Sequence, residues 1–252
     1  MSINKSLLFS PVGIFKVVKR VVLSVLLAVG LSADVGLAQE DDEFRTIVVG
    51  RIEDAKGDVL RLVGGRTRED DTIYVLKNPP SLASPDDPWY GVSVHITDGP
   101  GDALFELGRT DDILRLGPGG DTGKTGCGDD VVYAGSGEDQ VTLGCGADLA
   151  FGGTGADILV GGYGPDEIHG GSEADIIYGG KGADVLYSDD GDDLLFGQEG
   201  NDILIHNGSG VVTMIGGEGA DTFYTRTGDR VIDFNPEEGD RLFIDQEEVT
   251  YE

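Results

Sequence analysis

Four consecutive rows of nine residues, GGTGADILV-GGYGPDEIH-GGSEADIIY-GGKGADVLY (residues 152–187), follow one template. Each row has Gly at positions one and two, Asp at position six and an aliphatic residue at position eight. The same frame extends back to residue 107 and forward to residue 205, giving eleven rows in strict register. Position six is Asp in all eleven rows, which a Gly-rich and Asp-rich composition alone does not explain. These residues are Asp112, Asp121, Asp130, Asp139, Asp148, Asp157, Asp166, Asp175, Asp184, Asp193 and Asp202.

The template predicts a turn followed by a very short strand. Gly at positions two and four permits positive φ, so the first six residues can form a tight turn. The last three residues then form a strand whose aliphatic position eight points into a core. Two rows complete one flattened coil of eighteen residues, and successive coils stack at about 4.8 Å. Because one row cannot bury its own aliphatic residue, only stacking produces a core.

The repeated Asp residues indicate a bound cation. In a stack of coils, carboxylates on one edge recur about every 4.8 Å and repel each other by roughly 3.5 kcal/mol at an effective dielectric of about 20. A hard cation between coils would turn this repulsion into bonding. Ca²⁺ accepts six to eight oxygens in irregular geometry, whereas Mg²⁺ demands a tighter octahedron. Zn²⁺ prefers His and Cys, and the three His residues show no ligand spacing.

Rows such as GGTGADILV resemble the nonapeptide repeat of the RTX (haemolysin-type) calcium-binding family. The resemblance implies an all-β fold: a parallel β-roll, which is a right-handed β-solenoid with 18 residues per coil, here with irregular β caps at both ends. It also implies that the Asp of one row and turn carbonyls of rows i and i+2 share a Ca²⁺. Asp112 through Asp202 would then be side-chain ligands, with up to about nine ions between the eleven rows.

Several rows depart from the template. Glu173 replaces the Gly of position four, Ser188 and Asp189 replace the paired Gly, and Gly123 occupies a core position, so we expect the sites in these rows to be the weakest. A further row, GGEGADTFY, begins at residue 216 and adds Asp221 to the expected ligands. Asp221 follows Asp202 by nineteen residues, so the coil there must bulge or break.

The chain's two cysteines, Cys127 and Cys145, both occupy position three and are one full coil apart. Their Cα atoms should therefore lie about 4.8 Å apart, within the range of about 4.4–6.8 Å that disulfides require. We expect a disulfide, which would contribute roughly 3 kcal/mol in the loop-entropy model. The alternative is two free thiols on solvent-facing turns.

The chain divides into four expected segments. Residues 1–38 combine basic residues, an apolar run of 13 residues (21–33) and the ending Gly-Leu-Ala, which is typical of a cleaved signal peptide. A membrane anchor is the alternative, although a span needs roughly 20 apolar residues. Residues 39–97 are expected to form an N-terminal β cap with a Pro-rich loop at 78–88, and residues 98–205 the roll. Residues 206–252 should hold the last repeat and a C-terminal cap, with strands at 231–234 and 241–244.

Composition and motifs limit the function. A net charge of -29 argues against nucleic acid as a partner and favours cations. The sequence contains neither H-E-x-x-H nor G-x-S-x-G, and about sixty residues between leader and repeats are too few for a catalytic domain, so we expect no enzyme activity. The expected function is that of a secreted, extracellular calcium-binding β-roll that folds on meeting Ca²⁺, without a stable membrane span in the mature chain.

Two other functions are compatible with the sequence. One is a cell-surface adhesin or matrix spacer, with a surface polysaccharide as partner. The other is an accessory module of a polysaccharide-modifying or other secreted enzyme. An aromatic sugar-binding stripe could be formed by the position-nine residues, although packing under the caps or ordinary partial exposure is the interpretation that we favour. These are Tyr133, Phe151, Tyr178, Tyr187 and Phe196. The sequence leaves the oligomeric state open.

Overall fold

The computed structural model describes residues 101–250 and, before them, the backbone of six strand segments. The early segments are β1 (Ser32–Ala33), β2 (Phe44–Val49), β3 (Ile52–Glu53), β4 (Val59–Val63), β5 (Asp71–Leu76) and β6 (Ser93–Thr97). The expected signal peptide, apart from the backbone of β1, and the Pro-rich loop lie outside the described residues.

The remaining strands follow one another at the spacing of the nine-residue rows. They are β7 (Ala103–Glu106), β8 (Ile113–Arg115), β9 (Thr122–Cys127), β10 (Val131–Ser136), β11 (Gln140–Cys145), β12 (Leu149–Thr154), β13 (Ile158–Tyr163), β14 (Glu167–Ser172) and β15 (Ile176–Gly182). They continue with β16 (Val185–Asp190), β17 (Leu194–Gly200), β18 (Ile203–Ile205), β19 (Thr213–Glu218), β20 (Thr222–Thr225), β21 (Arg230–Val231), β22 (Arg241–Ile244) and β23 (Glu247–Glu248). No helix occurs among the described residues.

Alternate strands belong to two different sheets, as a flattened coil requires. One sheet has the order β23-β22-β20-β18-β16-β14-β12-β10-β8-β6-β4, and the other β2-β5-β7-β9-β11-β13-β15-β17-β19-β21. Neighbouring strands along the roll are parallel, and Val131 lies beside Leu149, eighteen residues later. The prediction of a parallel β-solenoid with eighteen residues per coil is therefore confirmed.

The core lies between the two sheets and consists mainly of the position-eight residues, joined in the first rows by Leu107, Leu116, Ala134 and Leu143 of position one. They are buried from Leu114 and Val141 at one end to Met214 and Phe223 at the other. Each fully buried aliphatic or aromatic side chain contributes about 1.5–3 kcal/mol. Gly123 leaves a gap in this series, and Phe105 of the preceding coil fills it, because a Cβ on Gly123 would lie 2.5 Å from Phe105 Cγ.

The turns need positive φ at positions two and four. Gly164 has a φ of 114°, and a Cβ there would collide with the carbonyl oxygen of Gly146 in the coil before. Three other residues take the positive φ that the template assigns to Gly: Glu173 (85°), Asp189 (58°) and Gln198 (84°). The rows that depart from the template therefore keep the coil geometry, at a local conformational cost.

The inserted residue near the end of the repeats produces a bulge and leaves the stack unbroken. Asp189 N–H donates to Asn207 Oδ1 across eighteen residues, whereas Ser209 N–H donates to Asp190 Oδ1 across nineteen. Gly208 is therefore the extra residue, and it lies in a turn where the added length does not disturb the strands. From Thr213 onward the strands pair again with the preceding coil.

The early strands extend both sheets as coils of uneven length. Phe44 pairs with Asp71 and Val59 with Ser93, so these coils take up 27 and 34 residues. From His95, which pairs with Ile113, the eighteen-residue spacing begins.

The C-terminal cap differs in part from its prediction. The strand expected at 231–234 is wrong beyond Val231, because Asp233 instead turns its carboxylate to accept the N–H groups of Gly216 and Gly217, each at 2.9 Å. The strand Arg241–Ile244 is confirmed and pairs in parallel with β20. It then turns back into β23 through two positive-φ residues, Asp245 and Gln246, as in a tight hairpin.

Candidate metal sites

The position-six carboxylates form two columns, one along each edge of the roll. All of them are buried, with 0–3% of the residue exposed. The long column contains Asp112, Asp130, Asp148, Asp166, Asp184, Asp202 and Asp221, and the short column contains Asp121, Asp139, Asp157, Asp175 and Asp193. Each carboxylate stands at the end of a turn, directly before a strand, so the stacking of strands fixes the alignment of each column.

In every column carboxylate from Asp121 to Asp221, one oxygen ties its coil to the coil before it. Asp148 N–H donates to Asp166 Oδ1 at 3.0 Å, and Asp166 N–H donates to Asp184 Oδ1 at 2.9 Å. The same bond crosses the inserted residue, since Asp202 N–H donates to Asp221 Oδ1 at 2.8 Å. Position six thus requires an acceptor side chain of the length of Asp.

The other carboxylate oxygen, Oδ2, is buried and receives no hydrogen bond in nine of these residues. They are Asp130, Asp139, Asp148, Asp157, Asp166, Asp175, Asp184, Asp193 and Asp202. An ionised carboxylate has acceptors only, and burying one without a donor or counter-charge costs several kcal/mol. These oxygens therefore need either a proton or a cation.

A backbone carbonyl of the next coil lies beside each such oxygen where position one is Gly. A Cβ placed on Gly179 would lie 2.5 Å from Asp184 Oδ2 and 2.8 Å from Gly197 O. On Gly170 it would lie 2.6 Å from Asp175 Oδ2 and 2.9 Å from Ser188 O. Position one faces the interior, and its missing side chain leaves room beside two oxygens from neighbouring coils.

Burial raises the pKa of all nine carboxyls. Desolvation is the largest cause, and neighbouring carboxylates add to it in most of them, while the backbone N–H bond to Oδ1 opposes it. The pKa rises from 3.8 to about 7 for Asp130, Asp157, Asp166, Asp175 and Asp202. It rises to about 6 for Asp139, Asp148, Asp184 and Asp193. The metal-free roll is therefore electrostatically unfavourable at neutral pH.

These oxygens fit a hard cation with a flexible coordination shell. Each column supplies one carboxylate per coil, so most remaining ligands must be backbone carbonyls of the Gly turns. Consistent with that, no three His, Cys, Asp or Glu side chains converge on one point within the described residues. A mixed set of carboxylate and carbonyl oxygens suits Ca²⁺, whereas Zn²⁺ requires nitrogen or sulfur ligands.

Three acids outside the strict repeat also belong to the columns or their edges. Asp240 Oδ1 accepts Asp221 N–H at 2.9 Å and extends the long column by one coil. Asp229 Oδ1 accepts Val212 N–H at 3.0 Å in the corresponding place on the other edge. Asp102 Oδ1 accepts Gly120 N–H at 2.7 Å. Asp240 could have been identified from the sequence, because it follows Asp221 by nineteen residues. Asp229 could not, because it follows Val212 by only seventeen residues.

The structure joins Cys127 and Cys145 in a disulfide, with their Cα atoms 4.3 Å apart. Both residues lie at the ends of paired strands, β9 and β11, where the register places them side by side. The bond links two coils near the N-terminal end of the strict repeats, and it lies on the outside of the turns, away from the carboxylate columns.

The position-nine aromatics form stacks along the roll axis. Tyr133 and Phe151 stack with ring centroids 5.1 Å apart, and the column continues through His169 to Tyr187, which stack at 4.2 Å. On the other sheet Tyr178 and Phe196 stack at 4.8 Å. A ring with a neighbour on each side in such a stack has both faces covered, so only its edge faces solvent. A sugar ring stacks on an exposed aromatic face, so this geometry does not favour a sugar-binding stripe.

Replacing Asp166 by Asn should weaken calcium binding. Asn retains an Oδ1 acceptor for Asp148 N–H, but it removes the charge and turns an amide towards the space where a cation would be bound. We expect the calcium concentration at half-maximal folding to rise about tenfold, equivalent to about 1.4 kcal/mol. Far-UV circular dichroism during a calcium titration measures this midpoint.

The matched control is Asp129→Asn, a position-five residue that is exposed and whose Oδ1 accepts Ala147 N–H at 2.8 Å. The amide can keep that bond, so the midpoint should stay unchanged. Equal midpoints for Asp166→Asn and Asp129→Asn would exclude Asp166 as a ligand.

Comparison with known families is consistent with this geometry. A family model described as the RTX calcium-binding nonapeptide repeat matches the chain in four copies, over residues 116–150, 151–186, 169–204 and 208–232. No curated protein matches the chain. Among the described residues there is no helix with the length and apolar character of a membrane span. The repeat region of this chain, residues 116–232, is a β-roll and a member of the RTX calcium-binding nonapeptide-repeat family.

Proposed function

We propose that this protein is a secreted, non-enzymatic calcium-binding β-roll that folds when it meets extracellular calcium. The observation that carries the proposal is the set of nine buried Oδ2 atoms without a hydrogen-bond donor. Without a cation, folding buries ionised carboxylates that lack a hydrogen-bond donor, which costs free energy. The same carboxylates become stabilising once a divalent cation lies between coils.

The proposed side-chain ligands of the calcium ions are the twelve carboxylates of the two columns. They are Asp112, Asp121, Asp130, Asp139, Asp148, Asp157, Asp166, Asp175, Asp184, Asp193, Asp202 and Asp221. Turn carbonyls such as Gly197 O would supply the remaining oxygens. Bound Ca²⁺ would neutralise the carboxylates of adjacent coils. Eleven strict rows give up to about nine ions, and binding only to the folded state shifts the equilibrium towards the roll.

Secretion is supported by the leader-like residues 1–38 and by the type of site. Extracellular calcium modules typically bind in the range of about 10⁻⁴–10⁻³ M, well above cytosolic levels. A disulfide between Cys127 and Cys145 also suits an oxidising compartment. A protein of this design would stay unfolded inside the cell and fold after export.

The non-enzymatic assignment is supported by the role of the acids. General acid–base catalysis needs a small number of carboxyls placed around a substrate. Here equivalent carboxylates repeat in every coil, are buried and face other oxygens of the protein. An adhesin or an accessory module of a secreted enzyme would use the same roll as a spacer. The stacked aromatic rings do not favour a polysaccharide as its partner.

Isothermal titration calorimetry with CaCl₂ tests the binding proposal on the full-length protein. We expect several ions per chain, with MgCl₂ at the same ionic strength as the control that binds much more weakly. Stoichiometric Mg²⁺ binding, or no Ca²⁺ binding, would overturn it. N-terminal sequencing of protein recovered from the medium of an exporting host tests secretion, and we expect the chain to begin near residue 39.

A further inference from the structure

His206 occupies a place that is Gly in five of the eleven strict rows and again in the row that begins at Gly216. Ile205 pairs with Tyr187, so the next residue, His206, lies beside Ser188 at position one of its coil. Its side chain is only 1% exposed. Position one faces the interior of the roll, and His206 therefore directs an imidazole towards the space where column carboxylates lie in other coils.

The same coil lacks the position-six carboxylate. Thr213 pairs with Leu194, so Val212 lies beside Asp193, and Val212 is fully buried. Thr125, Ala134 and Leu143 also carry a side chain at position one, but their rows keep Asp at position six. In the row that begins at His206, both positions change together.

Positions one and six share one space in this fold. The Cβ of an alanine at position 179 would lie 2.5 Å from Asp184 Oδ2, and at position 170 it would lie 2.6 Å from Asp175 Oδ2. Leu116 and Leu143 show that an apolar side chain at position one can share a row with a buried Asp at position six. An imidazole differs from these side chains because it brings a hydrogen-bond donor into this space.

The imidazole of His206 contacts the carboxylate of Asp229. Its Oδ1 accepts Val212 N–H at 3.0 Å, which is the bond that the column carboxylates from Asp121 to Asp221 make to the preceding coil. Its Oδ2, in contrast, lies 2.7 Å from His206 Nδ1 and accepts Arg226 N–H at 2.7 Å. Because a carboxylate offers acceptors only, Nδ1 carries the hydrogen. Protein donors thus satisfy the oxygen that is left without a donor in the nine carboxylates described above.

We infer that His206 replaces a calcium ion: it closes the short column with an internal hydrogen-bond donor, so that the cation sites of this edge end at Asp193. The inference rests on the proposed calcium function and adds to it the residue that decides where the series of ions stops. A row with Asp at position six supplies a cation ligand, whereas His and Val at positions one and six of the row that begins at His206 make a metal-independent contact.

The double variant His206→Gly with Val212→Asp tests the inference by restoring the Gly and Asp of the template. We expect it to bind one more calcium ion than the wild-type protein, counted by equilibrium dialysis with atomic absorption on protein whose β signal is intact. The matched control is His206→Gly with Val211→Asp, which adds the same acid at the exposed neighbouring position and should bind no extra ion. Val212→Asp alone should also gain none, because His206 still holds Asp229 Oδ2, an oxygen that the additional cation would need.

The reverse exchange keeps the inference testable if the first variant does not fold. Gly197→His with Asp202→Val should lose at least one ion. An unchanged ion count in a folded His206→Gly/Val212→Asp variant, an extra ion in Val212→Asp alone, or a full count in the reverse exchange would each overturn the inference. If the wild-type protein itself binds no calcium, the proposed function fails, and that result is separate from a failure to change the count by one.

Discussion

At pH 7.5, chelating calcium should convert the folded roll into a largely unfolded chain, and restoring about 1 mM Ca²⁺ should refold it. Ionising the nine buried carboxyls without a cation costs about 1.4 kcal/mol for each pKa unit by which burial has raised them. Several such costs exceed the about 5–15 kcal/mol that normally keeps a domain folded. A second hydrophobic side chain joins the core only in the first rows, at Leu107, Leu116, Ala134 and Leu143, so over most of the roll one residue per row opposes these costs.

Far-UV circular dichroism of the full chain measures this change, first with excess EDTA and then with calcium in excess of the chelator. The control replaces Ca²⁺ by Mg²⁺ at equal ionic strength, which should leave the chain largely unfolded. If screening of surface charge were enough to fold the roll, Mg²⁺ and Na⁺ would work equally well. Identical spectra in EDTA and in calcium would contradict the prediction.

Acid should fold the metal-free chain. The folded pKa of nine column carboxyls is about 6 or about 7, as for Asp184 and Asp166, against 3.8 in the unfolded chain. The folded state therefore binds more protons than the unfolded state, and its stability falls as pH rises. The protonated carboxyls contribute fully below about pH 3.8, and their contribution is lost as pH rises through 6–7.

The measurement starts from protein stripped of metal in denaturant and diluted into buffers between pH 3.5 and pH 8. We expect the β signal to appear as pH falls through about 7 to 6 and to be strongest near pH 4. The calcium-loaded protein should show the opposite trend, because protons compete with Ca²⁺ for the same oxygens. Loss of β structure on acidification of the metal-free chain would contradict the prediction.

The period of the repeat made most of the fold predictable. Eleven rows with one Asp and one aliphatic position each define the coil length, the parallel pairing and the core, because each position has one role that recurs. The spacing of nineteen residues from Asp202 to Asp221 also showed that one residue is inserted between them, in the segment that contains Gly208. It did not show that the extra residue would be absorbed in a turn.

The cap was harder to predict because it lacks a period. Val231 to Phe234 is rich in residues that favour strands, but Asp233 accepts two N–H groups at the end of the roll and the chain bends there. A tertiary contact has overridden a local preference. The long coils before His95 likewise follow no fixed spacing, so their register depends on which strands they meet.

The sequence by itself determined that carboxylates would line up, because a residue repeated at the period of a solenoid must stack on its own copies. Only the tertiary structure decided how each carboxylate is used. In Asp166, Oδ1 holds the preceding coil and Oδ2 is buried without a donor, whereas in Asp229 His206 and Arg226 supply the donors. The difference depends on which groups from neighbouring coils surround each oxygen. His206 and Asp229 are separated in the sequence by an inserted residue and a shortened turn, so their contact does not follow from the period of the repeat.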